Sequence, residues 1–251
     1  MGRDIMATFE FPDTHYFAKL VEAVSVITSE PNITLNGNGL WMRDFDPAHI
    51  AYVNLKVAGR FRGDPVTIVI SLPNLLKVLR RSKGRHELLG ITANSADKMV
   101  DVTFSEKIFT IPFTNLQSSH DIQLPEYDAP VRITMEAKQF SERLDDMGIL
   151  SDEVTLAVEK STLAFSGKGE KSHGQSTLKL SRDTGSALGI YPLEYLRTIM
   201  AFGATGFKDV RIRFGTNTPI IISFPVEGGS LDYYVATKLG PETPKFDPSR
   251  A

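Results

Sequence analysis

The sequence contains no cysteine, which removes disulfides, thiolate metal sites and cysteine nucleophiles together. That composition fits a reducing compartment. Long apolar runs are missing as well. No stretch approaches the roughly 20 residues that a membrane-spanning helix requires. The opening Met1-Gly2-Arg3-Asp4 leads into no apolar signal-peptide core. The expectation is an intracellular soluble protein. An excess of charge of one sign is also absent, with 28 Lys and Arg against 30 Asp and Glu, a net charge of -2 and a pI near 6.2. Proteins that hold nucleic acid by overall affinity are usually basic, so any such contact here must come from a local patch.

Sequence signatures of catalysis are scarce. The five histidines, at 15, 49, 86, 120 and 173, include no close pair at metal-ligand spacing. No G-x-S-x-G element is present. Gly167-Lys168-Gly169-Glu170-Lys171-Ser172 resembles a phosphate loop, but Glu170 stands where glycine is needed and would repel phosphate; a turn between strands is expected instead. Asp44-Phe45-Asp46 begins like a calcium loop, without the required glycine or terminal glutamate. Asp145 and Asp146 are adjacent, so on a helix they point in different directions. No cofactor or metal is expected. An enzyme remains open only as chemistry dispersed over a duplicated α+β scaffold.

What the chain does contain is an internal repeat at an offset of about 120 residues. Phe17, Val21 and Val24 form a helical stripe that Phe140, Leu144 and Met147 reproduce. Ile33-Thr34-Leu35 is echoed by Val154-Thr155-Leu156, and Leu40 and Met42 by Leu163 and Phe165. Leu75-Leu76-Lys77 and Leu79 match Tyr195-Leu196-Arg197 and Ile199, and Thr103-Phe104 matches Ser223-Phe224. The order is kept throughout, and with 251 residues, 41% of them hydrophobic, each half can bury its own core.

Each half reads as a strand, a helix, several strands, a second helix and closing strands. In the first half the strand covers 7–11, and Asp13 caps a helix running to about residue 28. Asn36-Gly37-Asn38-Gly39 reads as a hairpin turn. Strands follow at 50–57 and 66–71, a helix at 72–81 stopped near Gly84, and strands at 87–93, 99–104 and 108–113. The second half repeats this with a strand at 131–135, a helix at 137–150, strands to about 190 and a helix at 192–202 with Pro192 in its first turn. It closes with strands at 210–214, 220–224 and 231–236. Domains are expected at 1–113 and 130–251, joined by a linker over 114–129 that carries Ser118-Ser119 and Pro125. The fold class is α+β.

The duplicated layout, the run Met42-Arg43-Asp44-Phe45-Asp46-Pro47-Ala48-His49-Ile50, Pro192-Leu193-Glu194-Tyr195-Leu196 and the terminal Tyr233-Tyr234-Val235-Ala236-Thr237-Lys238 together resemble proliferating cell nuclear antigen, particularly its archaeal forms. The resemblance spans roughly residues 7–240. It implies a DNA-clamp fold and a six-domain trimeric ring, with helices lining the hole and sheets outside. It implies a processivity factor without enzymatic activity that encircles duplex DNA independently of sequence. DNA polymerase, a clamp loader, flap endonuclease and DNA ligase would bind it through a hydrophobic peptide motif. The ring could be a homotrimer or a heterotrimer with related subunits, in the cytoplasm of an archaeon or the nucleus of a eukaryote. A checkpoint-type clamp subunit is the nearer alternative.

Carried over by position, the resemblance assigns three groups of residues. Lys77, Arg80 and Arg81, at i, i+3 and i+4, share one helix face, and Lys83 and Arg85 extend the charge. Read alone they form an ordinary solvated basic face; the resemblance turns them toward phosphates, together with Lys19, Lys138, Arg143, Arg197, Lys208 and Arg211, with Arg213 nearby. Glu142, Asp145 and Asp146 depart from the family's basic pattern, and differently charged subunits of a heterotrimer could supply the missing charge. The partner-peptide pocket falls on Phe45, His49, Ile50, Ile122, Leu124, Pro125, Pro219, Tyr234 and Ala236. The subunit interface falls on a strand with Ile108, Phe109, Ile111 and Phe113, pairing with a neighbour's strand that carries Thr177, Leu178 and Leu180.

Overall fold

The computed structural model describes residues 6–84, 86–115 and 129–238. The chain divides into two compact units, Met1–Gln123 with Val226–Leu231, and Leu124–Pro225 with Asp232–Ala251.

The first unit opens with β1 (Met6–Phe11), in which Ala7, Phe9 and Phe11 alternate into the core. The helix α1 (Thr14–Ser25) starts where Asp13 accepts the Tyr16 N–H at 2.8 Å. It buries Phe17, Leu20, Val21 and Val24 and ends three residues before the expected Thr28. There Thr28 Oγ1 accepts the N–H of Glu30, a local contact that competes with further helix. The strands β2 (Asn32–Asn36), β3 (Gly39–Phe45), β4 (Ala51–Val57), β5 (Arg60–Gly63) and β6 (Val66–Val69) follow. Next come α2 (Leu72–Leu79), β7 (Leu89–Asn94), β8 (Met99–Phe104), β9 (Lys107–Pro112) and the short β10 (Thr114–Asn115), which begins inside the stretch expected to be linker.

Two antiparallel arrays result, in the orders β5-β1-β7-β8-β9 and β10-β6-β2-β3-β4. The Asn36–Gly39 turn joins β2 to β3 in the expected hairpin. Sequence periodicity gave no sign of β5, because it is four residues long and largely exposed. Its place depends on pairing with β1, Phe61 opposite Phe9 and Gly63 opposite Ala7. Gly63 has φ +100°, and a Cβ there would collide with the Met6 carbonyl oxygen.

The second unit repeats the plan with β11 (Val131–Glu136), α3 (Ala137–Gly148), β12 (Glu153–Glu159), β13 (Thr162–Lys168), β14 (His173–Lys179) and β15 (Ser186–Pro192). It continues with α4 (Leu193–Gly206), β16 (Asp209–Phe214), β17 (Ile220–Val226) and β18 (Gly229–Val235). The strand orders β14-β13-β12-β15 and β18-β17-β16-β11 match the first unit's orders strand for strand, without a partner for β5 or β10 among the described residues. Pro192 is not inside the helix, as its residue type suggested. It ends β15 opposite Glu153 and serves as the N-cap of α4, which runs four residues past the expected Phe202. Of the phosphate-loop-like run, Gly167 and Lys168 end β13 and residues 169–172 form the β13–β14 turn, closed by the Gly169 N–H to the Ser172 carbonyl at 2.9 Å.

In both units a helix pair packs over the sheets, α1 with α2 and α3 with α4. The repeated stripes all face inward: Phe17, Val21 and Val24, like Phe140, Leu144 and Met147, are buried, as are Phe104 and Phe224. At Gly203 the backbone of α4 lies so close to β17 that a Cβ would strike the Phe224 ring.

Candidate functional site

The outward face of the first helix pair is cationic. Leu72, Leu75, Leu76 and Leu79 take the buried side of α2, which leaves Lys77 and the following turn exposed. Arg80 and Arg81 lie in that turn rather than in the helix itself: Arg80 is the C-cap and the Arg81 N–H reaches the Val78 carbonyl at 2.9 Å. Lys19 on α1 and Lys83 are also exposed. Arg80 grips Glu22 of α1 with Nε at 3.2 Å and Nη2 at 2.9 Å. Lys107, which sequence reading did not single out, brings its ammonium to the Arg81 carbonyl at 3.0 Å. Cations at a helix C-terminus complement its partial negative charge. A strand residue reaching a helix end leaves no periodic signal, so Lys107 was not legible from the sequence. Arg85 lies outside the described residues.

The second helix pair is built differently. Lys138 faces Glu142 at 3.8 Å across one turn, and Arg197 of α4 donates to Asp145 of α3 at 2.8 Å. Arg143 is half-buried and donates to Ser176 Oγ at 2.5 Å. Lys208 is exposed just beyond α4, and its carbonyl accepts the Ala137 N–H at 2.9 Å. Arg211 and Arg213 do not join this face. Val210, Ile212 and Phe214 of the same strand point into the core beneath the helices, so the alternation turns the two arginines to the other side of the sheet.

The turn between β3 and β4 carries Phe45, His49 and Ile50. Its organiser is Asp46, buried, whose Oδ1 accepts the N–H groups of Ile50 and Ala51, both at 2.7 Å, and whose Oδ2 accepts that of Ala48 at 3.0 Å. The Asp46 N–H in turn reaches the Ala51 carbonyl at 2.9 Å. These bonds hold His49 in the left-handed region at φ 57° and stack its ring on Phe45 at 5.2 Å, 7° from parallel. A cavity of about 410 Å³ opens beside the stack, bounded by Ile27 and Thr28 on one side and Phe45, Pro47 and His49 on the other. Asp44 lines it too. Burial raises its pKa, opposed by the Phe45 N–H, Asn32 and His49. In the sequence Asp46 stands in a failed calcium pattern and in the Met42–Ile50 run; its bonds to residues two to five ahead are the signal of a turn.

Of the other expected pocket residues, Ile122, Leu124 and Pro125 lie outside the described residues. Pro219 and Tyr234 are half-buried and Ala236 exposed, all in the second unit. Beyond Ala236, Thr237 Oγ1 donates to the Ile190 carbonyl at 3.0 Å.

The two strands expected at a subunit interface are both sheet edges, β9 ending one array and β14 another. On β9, Ile108 is 70% exposed, whereas Ile111 is 8% and the following Phe113 4% exposed. Strand alternation therefore assigns Ile111 and Phe113 to the unit's own core, and Phe109 stacks on Phe104 at 5.7 Å. On and after β14, Thr177 is exposed and Leu178 and Leu180 are half-buried. Among the described residues no group of three or more His, Asp or Glu could hold a metal, and no helix is long and apolar enough to cross a membrane.

Two similar units, each a helix pair over antiparallel sheets, define a DNA-clamp fold. Residues 6–120 match the family model described as proliferating cell nuclear antigen, N-terminal domain. A protein named DNA polymerase sliding clamp from Methanococcus vannielii is 24% identical over 241 residues, covering 89% of this chain and 95% of the relative. One of the same name from Thermofilum pendens is 25% identical over 252 residues, covering 93% and 100%. The crystal structure of proliferating cellular nuclear antigen from Entamoeba histolytica superposes with a TM-score of 0.82 at 20% identity, over 93% of this chain and 99% of the other. A structure described as the C-terminal region of FEN-1 bound to A. fulgidus PCNA gives 0.79 at 18% identity, over 94% and 100%.

Proposed function

We propose that this chain is a subunit of a DNA sliding clamp, a non-enzymatic processivity factor that encircles duplex DNA and tethers polymerases and other replication and repair enzymes to it. The observation that carries the reading is the exposed cationic face of α1 and α2 on a chain whose net charge is -2. Such a face, made of lysine and arginine without a built base-reading site, suits contacts to phosphates that position a protein without reading sequence. Contacts of this kind are weak and salt-sensitive, so they let a ring slide while closure retains it.

Residues 1–113 and 130–251 are the two clamp domains, with 114–129 as their connecting loop. Three chains meet through the β9 edge of one and the β14 edge of the next, which removes exposed strand edges that invite aggregation and closes a head-to-tail ring. Ile108, Thr177, Leu178 and Leu180 flank that joint. The turn held by Asp46, with Phe45, His49 and Ile50, offers one wall for a partner's hydrophobic peptide. Such peptides would come from DNA polymerase, the clamp loader, flap endonuclease and DNA ligase. Solution mass tests the reading: light scattering on a sizing column gives three times 27.8 kDa for a homotrimer. A mass of 27.8 kDa that persists when related subunits are mixed in refutes ring formation by this chain.

A further inference from the structure

The two helix pairs are duplicates with opposite electrostatics. The offset that lays Phe17 on Phe140 also lays Glu22 on Asp145, and each acid grips an arginine from the second helix of its own unit. Glu22 Oε1 takes Arg80 Nη2 at 2.9 Å, and Asp145 Oδ1 takes Arg197 Nε at 2.8 Å. What remains beside each pair differs. In the first unit Lys19, Lys77, Arg81 and Lys83 stay exposed with no ion-pair partner among the described residues, and Lys107 adds another ammonium at the end of α2. In the second unit α3 and α4 carry Lys138, Arg143 and Arg197 against Glu142, Asp145, Asp146 and Glu194. Lys138 is matched by Glu142, Arg197 by Asp145, and Arg143 is turned to Ser176. The exposed Asp146 and Glu194 are left over.

A phosphate approaching the second pair meets arginine and lysine already facing carboxylates, and within a Debye length of about 10 Å the exposed Lys208 is set against the unpaired Asp146 and Glu194. Displacing Asp145 from Arg197 would exchange one anion for another and leave the aspartate facing the DNA. The first pair holds one ion pair of this kind, Arg80 with Glu22, but among the described residues keeps Lys19, Lys77, Arg81 and Lys83 clear of carboxylates. Resting on the clamp reading, we propose that duplex contact is confined to the first unit's helix pair. Asp145 and Asp146 keep the second pair from holding DNA, so each subunit grips the duplex once rather than twice.

The number of phosphates engaged is read from the salt dependence of binding, each lost contact lowering the slope of log K against log salt by about 0.9. The test uses the full chain in its ring and a short fluorescein-labelled duplex, followed by anisotropy over a salt series, with thermal unfolding to confirm that each variant is folded. K77Q/R81Q is expected to weaken binding at least tenfold and to lower the slope by about 1.8. K138Q/R197Q is expected to leave the slope unchanged, and D145N/D146N to raise affinity. If K138Q/R197Q lowers the slope as K77Q/R81Q does, or D145N/D146N binds no tighter, the confinement is overturned while the clamp reading stands. If a folded K77Q/R81Q binds as the unaltered chain does, the reading of the first face as the DNA contact falls, and this inference with it.

Discussion

The carboxylate of Asp46 holds the β3–β4 turn by accepting three backbone N–H groups within five residues. It sets the position of His49 and Phe45, with which it lines the cavity beside the turn. Asp46→Ala leaves those donors without a charged acceptor, at a cost of about 2–3 kcal/mol in unfolding free energy. Denaturant titration reads that cost, and a hydrophobic partner peptide should bind more weakly to the folded remainder. Asp13 acts at the start of α1. Burial works against its charged form. The backbone N–H groups of Tyr16, His86 and His15 and the charge of His86 outweigh that, and hold its carboxyl below the ordinary aspartate value of 3.8. A depressed folded pKa contributes stability that is present above 3.8 and is lost as pH falls through the folded value. Asp13→Ala is therefore expected to cost about 1 kcal/mol at neutral pH. The gap should close in strong acid, as thermal unfolding at several pH values would show. Asp13 was legible because a cap is a local event written beside its helix. Asp46 was not read as a turn organiser, because its motif first resembles a metal loop.

Among the elements, those with a strong internal period were legible: the stripes of α1 and α3, the alternation of β1 and β8, and the Asn36–Gly39 hairpin. Those that depend on a partner were not. β5 exists because β1 offers an edge to pair with, and Pro192 belongs to a strand because Glu153, the first residue of β12, lies opposite it. Arg211 was misplaced for a related reason. Its charge is evident in the sequence, but the side of the sheet it takes is fixed only by Val210 and Ile212 facing the helices. Gly203 of α4 leaves the room that the Phe224 ring of β17 fills. Gly203→Ala there must push either the helix or the Phe224 ring aside. Overpacking of this kind costs about 1–3 kcal/mol. Chemical denaturation should show that loss, although alanine is the better helix former.

At the scale of the whole molecule, the clamp fold was legible from the repeat and its motifs together, because a duplicated order of elements survives where individual matches are weak. The faces of the proposed interface strand were legible only in part, since composition marks β9 as apolar but only alternation separates the exposed Ile108 from the buried Ile111. That separation gives a test of assembly. Ile108→Asp replaces a side chain that is 70% exposed in the chain taken alone, so the fold should lose no more than about 0.5 kcal/mol. Light scattering should nevertheless show the mass falling from ring to single chain. An unchanged ring mass would remove Ile108 from the joint.

The small strand β5 has a different bearing. It occurs in the first half and has no counterpart in the second among the described residues, where β11 occupies the corresponding border. Together with the divergent charges of the helix pairs, it means that the two copies of an ancestral module are no longer interchangeable parts. A gene rebuilt from two first halves would carry the extra border strand twice and the cationic face twice. The present chain has two specialised halves, and the four residues from Arg60 to Gly63 are one mark by which they can be told apart.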